Sequence, residues 1–489
     1  MFPILLLITS CLLFSILAAL IKFNSQFIHP IEQAFFRNFI SVFILIPFIL
    51  QTKKIINNKK NIKLLLLRAI FGGITMILLF CSYSMIPLSQ AMAISFSTPL
   101  FIYLGGISFF KEKESDLSSF YPLIVDLCSD CLSIQLRHCL DQEILYKDYT
   151  YMTPDVGSLT KHYEDLIELL KAKGLLGSSK RCLEVGSNTG LFIDKLSSHV
   201  EKIVGIDPAE NIVKVANDLG RETVCDFFNK NSSETLLARY GSMDLIIARH
   251  MFAHNEDPKI LLEAMDEIIS PRGSIMIENA YAIPTLLNGE FDQIYHEHMF
   301  YYSVINMQNL LKTQSFELFD LMHSKIHGGS ITFLAAKVGE KSISSKIEEF
   351  MSNEQDLFKE DKIFKKFNKK ILEIKVRVLN EINEDKSQGK LIAAYGASAK
   401  AFTMFSYLGL DNRVISYCVD TTPTKINKYF PGFGIRVIDE EAHMKINADT
   451  IIVTAWNYKE HIMEKSKDIF KKGTKLIFPL PEFELQIVE

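Results

Sequence analysis

The stretch from Cys182 to Gly190, C-L-E-V-G-S-N-T-G, constrains the fold of this chain more than any other segment. An apolar strand runs into a loop with glycines at Gly186 and Gly190, and glycine lets a ligand approach the backbone closely. Asp207 ends the next apolar run, about 20 residues further on, where a carboxylate can accept both hydroxyls of a ribose. The loop is not the dinucleotide fingerprint G-x-G-x-x-G, because Asn188 stands in place of its second glycine. These residues predict a nucleoside site; the alternative is an ordinary strand-to-helix turn.

Apolar runs alternate with amphipathic stretches from Lys180 onward. This alternation predicts an α/β fold with a doubly wound, parallel sheet. The predicted strands are Arg181–Val185, Lys202–Ile206, Glu222–Cys225, Met243–Ala248 and Ser274–Ile277. Ligands bind at the carboxyl ends of such strands. The polar residues at those ends are Glu184, Asp207, Asp226, Arg249 and His250. We expect one pocket to collect them.

The glycine loop and the following acid resemble motifs I and II of class I S-adenosylmethionine (SAM) methyltransferases. The resemblance implies that SAM is the cofactor. The implied cofactor-binding residues are Glu184, Gly186, Asn188, Gly190 and Asp207. Asp226 and Phe227 would lie near the adenine, where the carboxylate accepts from the exocyclic amine and the ring supplies apolar contact. A solvated acid on a loop is the alternative for Asp226.

Titratable side chains are densest between Glu290 and Ser303, in the stretch E-F-D-Q-I-Y-H-E-H-M-F-Y-Y-S. Imidazoles, carboxylates and phenols exchange protons when they are aligned, so this stretch predicts general acid–base chemistry. A metal site is one alternative, because His296 and His298 would share one face of a strand. A surface loop is the other alternative.

Two further histidines, His250 and His254, follow the fourth predicted strand. They would lie one helical turn apart if this segment were helical. Each has two possible interpretations, a role at the mouth of the ligand site or a structural role in the core.

Several further motifs occur in order along the chain and resemble the nucleotide-sugar C-methyltransferase family. They are Tyr149–Tyr151, Asn279–Tyr281, Phe291–His298, Tyr301–Ser303, His327–Ser330, Ala394–Lys400 and Ala455–Tyr458. The resemblance implies a second, C-terminal α/β domain that holds a nucleotide. It also implies the reaction, which is methyl transfer from SAM to a carbon beside the ketone of a deoxysugar carried by a nucleoside diphosphate.

Roles for individual residues follow from that resemblance. Removing a proton beside a ketone gives an enolate, which needs a base and a hydrogen-bond donor for its oxygen. The implied catalytic residues are His298 for proton transfer, Glu297 to orient a neighbour, Tyr295 and Tyr149 as donors or relays, and His254 as an alternative base. The implied substrate-binding residues are His327, Tyr395, Lys400 and Trp456, with Lys400 on a phosphate. A solvated lysine and ordinary core aromatics are the alternatives for the last three.

Cys128 and Cys131 form a C-x-x-C pair, and the chain has eight cysteines in all. The pair resembles the second half of a small zinc-binding module that opens the same family. Such a module holds its metal with four thiolates, and the first pair has no match here. Bound zinc is one interpretation, and free cysteines in a reducing compartment are the other.

The first 110 residues are overwhelmingly apolar. The runs Pro3–Phe23, Ile31–Leu50, Leu64–Met85 and Pro87–Phe110 are each long enough to span a membrane as a helix. The lysine-rich loop between the second and third runs predicts a cytoplasmic loop, which places everything after Lys111 in the cytoplasm.

Residues 9–114 resemble the first part of a drug/metabolite (EamA-type) transporter. The resemblance lies in Lys22, Glu32, Arg37, Arg68 and the stretch Lys111–Lys113. Such transporters enclose their substrate between two repeats, so transport by the present spans alone is not expected. Both family resemblances stop between residues 111 and 120, and we interpret the chain as a fusion joined there.

The expected organisation has five segments. They are a four-span membrane segment (1–114), a remnant of a zinc module (115–150), a Rossmann-like methyltransferase core (151–335), a helical connector (336–390) and a C-terminal α/β domain (391–489). The net charge of −4 gives no support for a nucleic-acid partner, so the expected partners are a nucleoside-diphosphate sugar and the membrane. Two rival functions remain, a transporter-class protein with an inactive or regulatory soluble part, and an O-methyltransferase, which needs no enolising base. The oligomeric state is not predicted.

Overall fold

The computed structural model describes residues 15–51, 59–87, 90–91, 122–146, 152–153, 157–324 and 326–489. Tyr149, a predicted catalytic residue, lies outside them. The chain divides into two compact units, Met1–Leu117 and Ser118–Glu489. The two units are described separately below.

The described part of the first unit is helical. Its helices are α1 (Ser15–Asn24), α2 (Pro30–Gln51) and α3 (Lys59–Met85). The Nζ group of Lys22 donates to the carbonyl oxygens of Ser84 (3.0 Å) and Ile86 (3.1 Å), so the one basic side chain of α1 satisfies the carbonyls at the end of α3. Large apolar side chains on these helices are exposed, including Phe35, Phe39, Ile70 and Leu78.

Among these described residues one stretch, Arg68–Met85, is long and apolar enough to cross a membrane. The helix Ser15–Asn24 is apolar but shorter. Four spans were expected from the sequence. Much of the first and most of the fourth lie outside the described residues, so the structure supports one span of the four.

The second unit is built on a central sheet of seven strands in the order β5-β4-β3-β6-β7-β10-β9. The strands are β3 (Gly177–Val185), β4 (Val200–Asp207), β5 (Thr223–Cys225), β6 (Met243–Arg249), β7 (Ile269–Ala280), β9 (Phe316–Ser324) and β10 (Ser330–Lys337). The first five are parallel neighbours, as the alternation of the sequence predicts. Strands β9 and β10 add an antiparallel edge.

Helices cover both faces of this sheet, which explains why its strands are apolar along their whole buried length. The helices are α5 (Gly157–Ala172), α6 (Leu191–Ser197), α7 (Glu210–Asp218), α8 (Lys230–Tyr240), α9 (Pro258–Ile268), α10 (Ala282–Leu287) and α11 (Val304–Lys312). One core contains Leu183 and Ile246, and the core on the opposite face contains Phe192 and Leu245. The Rossmann-like α/β prediction is therefore confirmed for this part of the chain.

A second sheet follows in the order β13-β12-β11-β14-β15-β16. Its strands are β11 (Ile392–Tyr395), β12 (Cys418–Val419), β13 (Val437–Ile438), β14 (Thr450–Val453), β15 (Lys475–Phe478) and β16 (Glu484–Ile487). Its helices are α14 (Ala399–Leu408), α15 (Glu440–Ile446) and α16 (Lys459–Ile469). We call this sheet with these helices the C-terminal lobe. All strands but β16 are parallel to their neighbours, which is the second α/β unit that was expected.

Two long helices, α12 (Ser345–Phe358) and α13 (Lys362–Ser387), connect the central sheet to the C-terminal lobe. Glu354 of α12 is buried, and its carboxylate accepts from the backbone N–H groups of Val304 and Ile305 (2.8 Å each). These N–H groups open α11 and have no partner within it, so the carboxylate caps that helix.

A small sheet, β1-β2-β8, brings the start of the second unit against its middle. It consists of β1 (Val125–Leu127), β2 (Ile134–Leu136) and β8 (Phe300–Tyr301), and the short helix α4 (Gln142–Tyr146) follows. The N–H of Leu136 donates to the carbonyl of Met299 (2.8 Å), directly after His298. This sheet therefore supports the segment that carries most of the predicted catalytic residues.

Candidate active site

A cavity of about 1170 Å³ opens in the second unit between the strand ends of the central sheet and the C-terminal lobe. Pockets for one small ligand usually measure roughly 300–1000 Å³, so this cavity is larger than is usual for a single ligand. Predicted site residues that line it are Gly186, Asn188, Asp207, Asp226, Phe227, His254, Tyr295, Glu297, His298, Tyr395 and Lys400. Glu184, Gly190 and Trp456 were predicted as well, but they do not line it.

The glycine loop after β3 is tightly enclosed. Gly186 has φ +69°, and a Cβ built there would lie 2.7 Å from Cβ of Met251, so a side chain cannot be accommodated without movement. Asn188 also has a positive φ of 49°, which is uncommon for a residue with a side chain and is found at functional sites. Gly190, with φ +70°, precedes α6 and supports the loop from outside the cavity.

Asp207, at the end of β4, presents its carboxylate to the cavity. Its Oδ2 accepts from the N–H of Asn188 (2.9 Å) and its Oδ1 from the N–H of Ala209 (3.0 Å). Burial raises the pKa of Asp207, and these two hydrogen bonds oppose the rise. Each carboxylate oxygen keeps an acceptor site, so the group can accept two ligand hydroxyls. This geometry fits the ribose of SAM.

Glu184 lies beneath the cavity instead of facing it. Its Oε1 accepts from two guanidinium nitrogens of Arg249, Nε (3.1 Å) and a terminal nitrogen (3.0 Å). The same guanidinium lies over the ring of Tyr163, 4.4 Å from the ring centroid. Burial raises the pKa of Glu184, and Arg249 opposes the rise. Glu184 therefore does not line the cavity, whereas its partner Arg249 does, and contact of Glu184 with the cofactor stays a prediction.

Asp226 and Phe227 lie at the outer end of the cavity, after β5. Asp226 is exposed, and its Oδ1 accepts from the N–H of Phe227 (2.8 Å). The carboxylate and the ring thus border the same opening, where a planar heterocycle can meet both.

The centre of the cavity holds a hydrogen-bonded pair, Tyr295 and His298. The phenol oxygen lies 2.8 Å from Nε2, and Nδ1 lies 3.1 Å from the carbonyl oxygen of Gln293. A carbonyl can only accept, so in the neutral imidazole Nδ1 carries the hydrogen and Nε2 accepts from the phenol. Burial, with His254 second, lowers the pKa of His298 well below its usual value. Burial and the Glu297 carboxylate raise the pKa of Tyr295.

His254 lies beside this pair. The rings of His254 and His298 are 5.1 Å apart, and the N–H of Met299 donates to the carbonyl of Ala253 (2.8 Å), which joins the two segments. Burial, with His250 second, lowers the pKa of His254 to about 4. Both imidazoles are therefore neutral near pH 7 and able to accept a proton.

Glu297 and its neighbours form a turn, not a strand. The hydroxyl of Tyr146 donates to the backbone carbonyl of Glu297 (3.3 Å), and the N–H of His298 donates to the carbonyl of Tyr295 (3.0 Å). The metal alternative required His296 and His298 on one strand face, and this turn provides none. Within the described ranges, no group of three His, Cys, Asp or Glu side chains is arranged to hold a metal.

Cys128 and Cys131 lie in the turn between β1 and β2. The N–H of Cys128 donates to the carbonyl of Ser133 (2.8 Å), and the amide of Asn309 donates to the carbonyl of Cys131 (3.3 Å). The turn is thus held by backbone bonds, and no third ligand for a metal accompanies the two thiols among the described residues.

A second set of titratable groups lies at the floor of the cavity, and of its members only His250 was predicted. Glu278, at the end of β7, is fully buried, and its Oε1 lies 2.5 Å from Nε2 of His162. Its Oε2 lies 3.7 Å from Nε2 of His250, a residue with φ +50°. Burial alone would raise the pKa of Glu278, but the hydrogen bond to His162 and the nearby His250 and Arg249 lower it to about 2. His162 lies on α5, far away in sequence, so no local motif pointed to it.

Lys400 reaches the cavity from the C-terminal lobe. Its Nζ lies 5.1 Å from the centroid of the Trp456 ring, and the indole N–H of Trp456 donates to Oδ2 of Asp292 (2.6 Å). Burial lowers the pKa of Lys400, and the carboxylates of Asp292 and Glu290 oppose the fall. Trp456 was expected to pack on a base or sugar. It is buried behind Lys400 instead, because its N–H has a buried carboxylate to satisfy.

The remaining polar groups of the C-terminal lobe surround one strand end. The hydroxyl of Tyr395 donates to Oε1 of Glu440 (2.7 Å), and both residues line the cavity. Asp420, which was not predicted, accepts from the N–H of Ala397 (2.7 Å) and of Thr422 (2.8 Å). Asp207 accepts from two backbone N–H groups, one of them in the glycine loop, in the same way. The side chain of His327 lies outside what the structure describes.

The fold and the site define a methyltransferase that uses SAM. The methyltransferase domain family matches residues 158–321, the C-methyltransferase C-terminal domain family matches residues 325–481, and the EamA-like transporter family matches residues 1–115. C-methyltransferase NovU of Streptomyces niveus is 30% identical over 388 residues, which cover 79% of this chain and 91% of that protein. The chain therefore belongs to the C-methyltransferase family and is a SAM-dependent enzyme.

Two further likenesses are more limited. Solute carrier family 35 member G1 of Mus musculus is 32% identical over 117 residues, which cover 24% of this chain and 32% of the carrier. The magnesium protoporphyrin IX methyltransferase of Synechocystis PCC 6803, solved with bound SAM, is 14% identical with a TM-score of 0.28 and covers 38% of this chain and 87% of that chain. The match over most of the chain is thus to a C-methyltransferase, which favours carbon over oxygen as the methyl acceptor.

Proposed function

We propose that this enzyme methylates the carbon beside the ketone of a 4-keto-deoxysugar carried by a nucleoside diphosphate. The observation that carries the proposal is the Tyr295–His298 pair, which lies in one cavity with the glycine loop on one side and the C-terminal lobe on the other. O-methylation would need a base for a hydroxyl proton at most, and no group that removes a proton from carbon.

Asp207, Asn188 and Gly186 hold SAM in this proposal, with the ribose on Asp207 and the adenine between Asp226 and Phe227. SAM supplies an activated methyl group on a sulfonium. Gly186 and Asn188 line the cavity beside it, and holding the methyl close to the acceptor carbon is the protein's part in the transfer.

Tyr295 and His298 remove the proton. Nε2 of His298 accepts the phenol proton as the phenol oxygen takes the proton from the sugar carbon, and the C–H electron pair moves into the enolate. The enolate carbon then attacks the methyl group, the S–CH₃ electron pair stays on sulfur, and the ketone re-forms. The proton remains on the Tyr295–His298 pair until solvent removes it. His254 is the alternative base, because it too is neutral and close.

The other predicted residues take supporting roles. Glu297 holds the turn near Tyr146 and raises the pKa of Tyr295, so it keeps the phenol protonated before reaction. Tyr149 is proposed as a further donor, and His327 as a contact to the sugar. The nucleotide is held by the C-terminal lobe, where Tyr395 and Asp420 border the cavity.

We propose that the first unit anchors the enzyme to a membrane as the first part of an EamA-like fold, with the second unit in the cytoplasm. The exposed apolar side chains of α2 and α3 and the apolar stretch Arg68–Met85 support an anchor. The membrane fraction of lysed cells should then release the protein with detergent and not with high salt. Release with salt would contradict an integral anchor.

Solvent exchange tests the reaction. The full-length protein in detergent is incubated in D₂O, without SAM, with the 4-keto-6-deoxyhexoses of thymidine, uridine and guanosine diphosphate. We expect deuterium at the carbon beside the ketone of at least one of them, and a methylated product from the same sugar when SAM is added.

His298→Asn should abolish both the exchange and the product while SAM binding, measured by calorimetry, is retained. His199→Asn, outside the cavity, is the matched control and should change neither. Methylated product without exchange in any sugar would favour an oxygen acceptor, and failure to bind SAM would remove the enzyme assignment.

A further inference from the structure

Lys400 lies on the same face of α14 as a residue that is tied to the catalytic segment. The hydroxyl of Thr403 donates to the carbonyl oxygen of Ile294 (2.9 Å), directly before Tyr295. Residues three apart on a helix are neighbours on its surface, so Lys400 and Thr403 face the same way. The start of α14 is thus fixed against the segment that carries the proton-transfer pair, and Lys400 lines the cavity beside it.

Lys400 is surrounded by one aromatic ring and two buried carboxylates. The Trp456 ring lies 5.1 Å from Nζ, and the buried carboxylates of Asp292 and Glu290 raise the pKa that burial lowers. In the described part of the chain, Nζ has no ion-pair partner. The carboxylates of Asp292 and Glu290 therefore act on Lys400 through space, without a direct ion pair. A positioned positive charge in an enclosed site is worth most where negative charge develops during a reaction.

A diphosphate has other cations available at the same cavity. Lys425 and Lys465 line it, and Lys465 is exposed. Nζ of Lys425 lies 3.6 Å from Oδ2 of Asp420, beside the loop after β11. A diphosphate held there keeps part of its hydration, whereas enclosing it at Lys400 would remove that water at high cost.

We propose that Lys400 is a catalytic residue that stabilises the enolate oxygen, and that Lys425 and Lys465 hold the diphosphate. The proton leaves the sugar carbon to the Tyr295–His298 pair, and the ketone oxygen gains the negative charge next to the Lys400 ammonium. When the enolate carbon attacks the methyl group, the electron pair forms the C–CH₃ bond and the ketone re-forms, and Lys400 transfers no proton. Asp292 is a positioning residue that acts through Lys400. This inference rests on the proposed keto-sugar substrate.

The test measures two steps separately in the full-length protein, with the keto-sugar nucleotide that the wild type exchanges best. Lys400→Met should lower kcat for deuterium exchange without SAM, and kcat for methylation, by about 10²–10³. KM for the sugar nucleotide should change by less than about threefold. Lys425→Met with Lys465→Met should raise KM and leave kcat for exchange near the wild-type value. Lys471→Met, on the surface and paired with Asp449, should change nothing.

The SAM dissociation constant reports folding, and Lys400→Gln replaces Lys400→Met if the latter does not bind SAM. A raised KM with retained kcat in either Lys400 variant would overturn the proposal and make this lysine the phosphate ligand. A wild-type protein that exchanges no keto-sugar proton would instead overturn the substrate class itself. The two failures are distinguished by the wild-type measurement alone.

Discussion

The phenol oxygen of Tyr295 and Nε2 of His298 are 2.8 Å apart, and the orientation of the bond is fixed because Nδ1 donates to the carbonyl of Gln293. The phenol therefore donates a hydrogen bond to the imidazole, and keeps its proton, before any substrate is present. A substrate C–H that meets the phenol oxygen finds a group already polarised towards accepting a proton.

Removing the Tyr295 hydroxyl tests this arrangement. Tyr295→Phe should lower kcat for both exchange and methylation by roughly 10²–10⁴, because the relay between carbon and imidazole is lost. SAM binding by calorimetry should stay within about twofold of the wild type, since the hydroxyl takes no part in holding the cofactor loop. Tyr429→Phe, at an exposed position of the C-terminal lobe, is the control. Unchanged turnover in Tyr295→Phe would leave His298 or His254 as the direct base.

The pH dependence of kcat follows from the lowered pKa values of His298 and His254. Burial lowers the pKa of His298 well below 6.5 and that of His254 to about 4, so both imidazoles stay neutral as the pH falls through 6.5. The base is lost on protonation, and kcat should therefore fall only at pH values below about 6. The initial rate at saturating substrate is measured from pH 8 to 5, with circular dichroism at each pH to show that the fold persists. If kcat instead fell with a midpoint at pH 6.5, the imidazole that acts as the base would be exposed to solvent.

The glycine loop gives a matched pair of substitutions. Gly186 and Gly174 have similar φ values, +69° and +66°, but a Cβ at Gly186 meets Met251 whereas one at Gly174 meets nothing within 4 Å. Gly174→Ala should lower the free energy of unfolding by about 1–2 kcal/mol through backbone strain alone. Gly186→Ala should lower it further and weaken SAM binding by about tenfold or more. Thermal melts with and without SAM measure both. If the two variants lost the same free energy of unfolding and bound SAM equally well, the glycine loop would be able to move and accept a side chain at Gly186.

Trp456 is the single tryptophan of the chain and lies against Lys400. Its fluorescence should change when the sugar nucleotide enters the cavity, because the ligand alters the field and the water around the lysine. SAM alone should have a much smaller effect, since the cofactor loop is carried by the other sheet. Titration of each ligand at fixed protein concentration gives the comparison. A larger response to SAM than to the sugar nucleotide would contradict the placement of the two ligands.

The parts of the site that the sequence predicted are those encoded locally. The loop from Gly186 to Gly190, Asp207 at the next strand end, and the dense segment around Tyr295 are each recognisable within a short stretch. The observed strands of the central sheet coincide with the apolar runs of the sequence. Apolar runs that alternate with amphipathic helices are what a parallel sheet covered on both faces requires.

The parts that were missed depend on contacts between distant residues. Glu278 and His162 are 116 residues apart in sequence, and Trp456 and Asp292 are 164 apart. A lone buried histidine or tryptophan carries no local sign of its partner. The bond between Glu184 and Arg249 was missed for the same reason, because the two residues are 65 apart in sequence.

The bonds from Thr403 to Ile294 and from Trp456 to Asp292 have a consequence for redesign. Grafting the C-terminal lobe of a relative to change nucleotide preference would also replace both anchors of the turn that carries Tyr295 and His298. Such a hybrid should recognise its new nucleotide and turn over slowly until residues 290–298 are exchanged together with the lobe. Under the proposed mechanism, the part that recognises the nucleotide and the part that transfers the proton would have to be exchanged together.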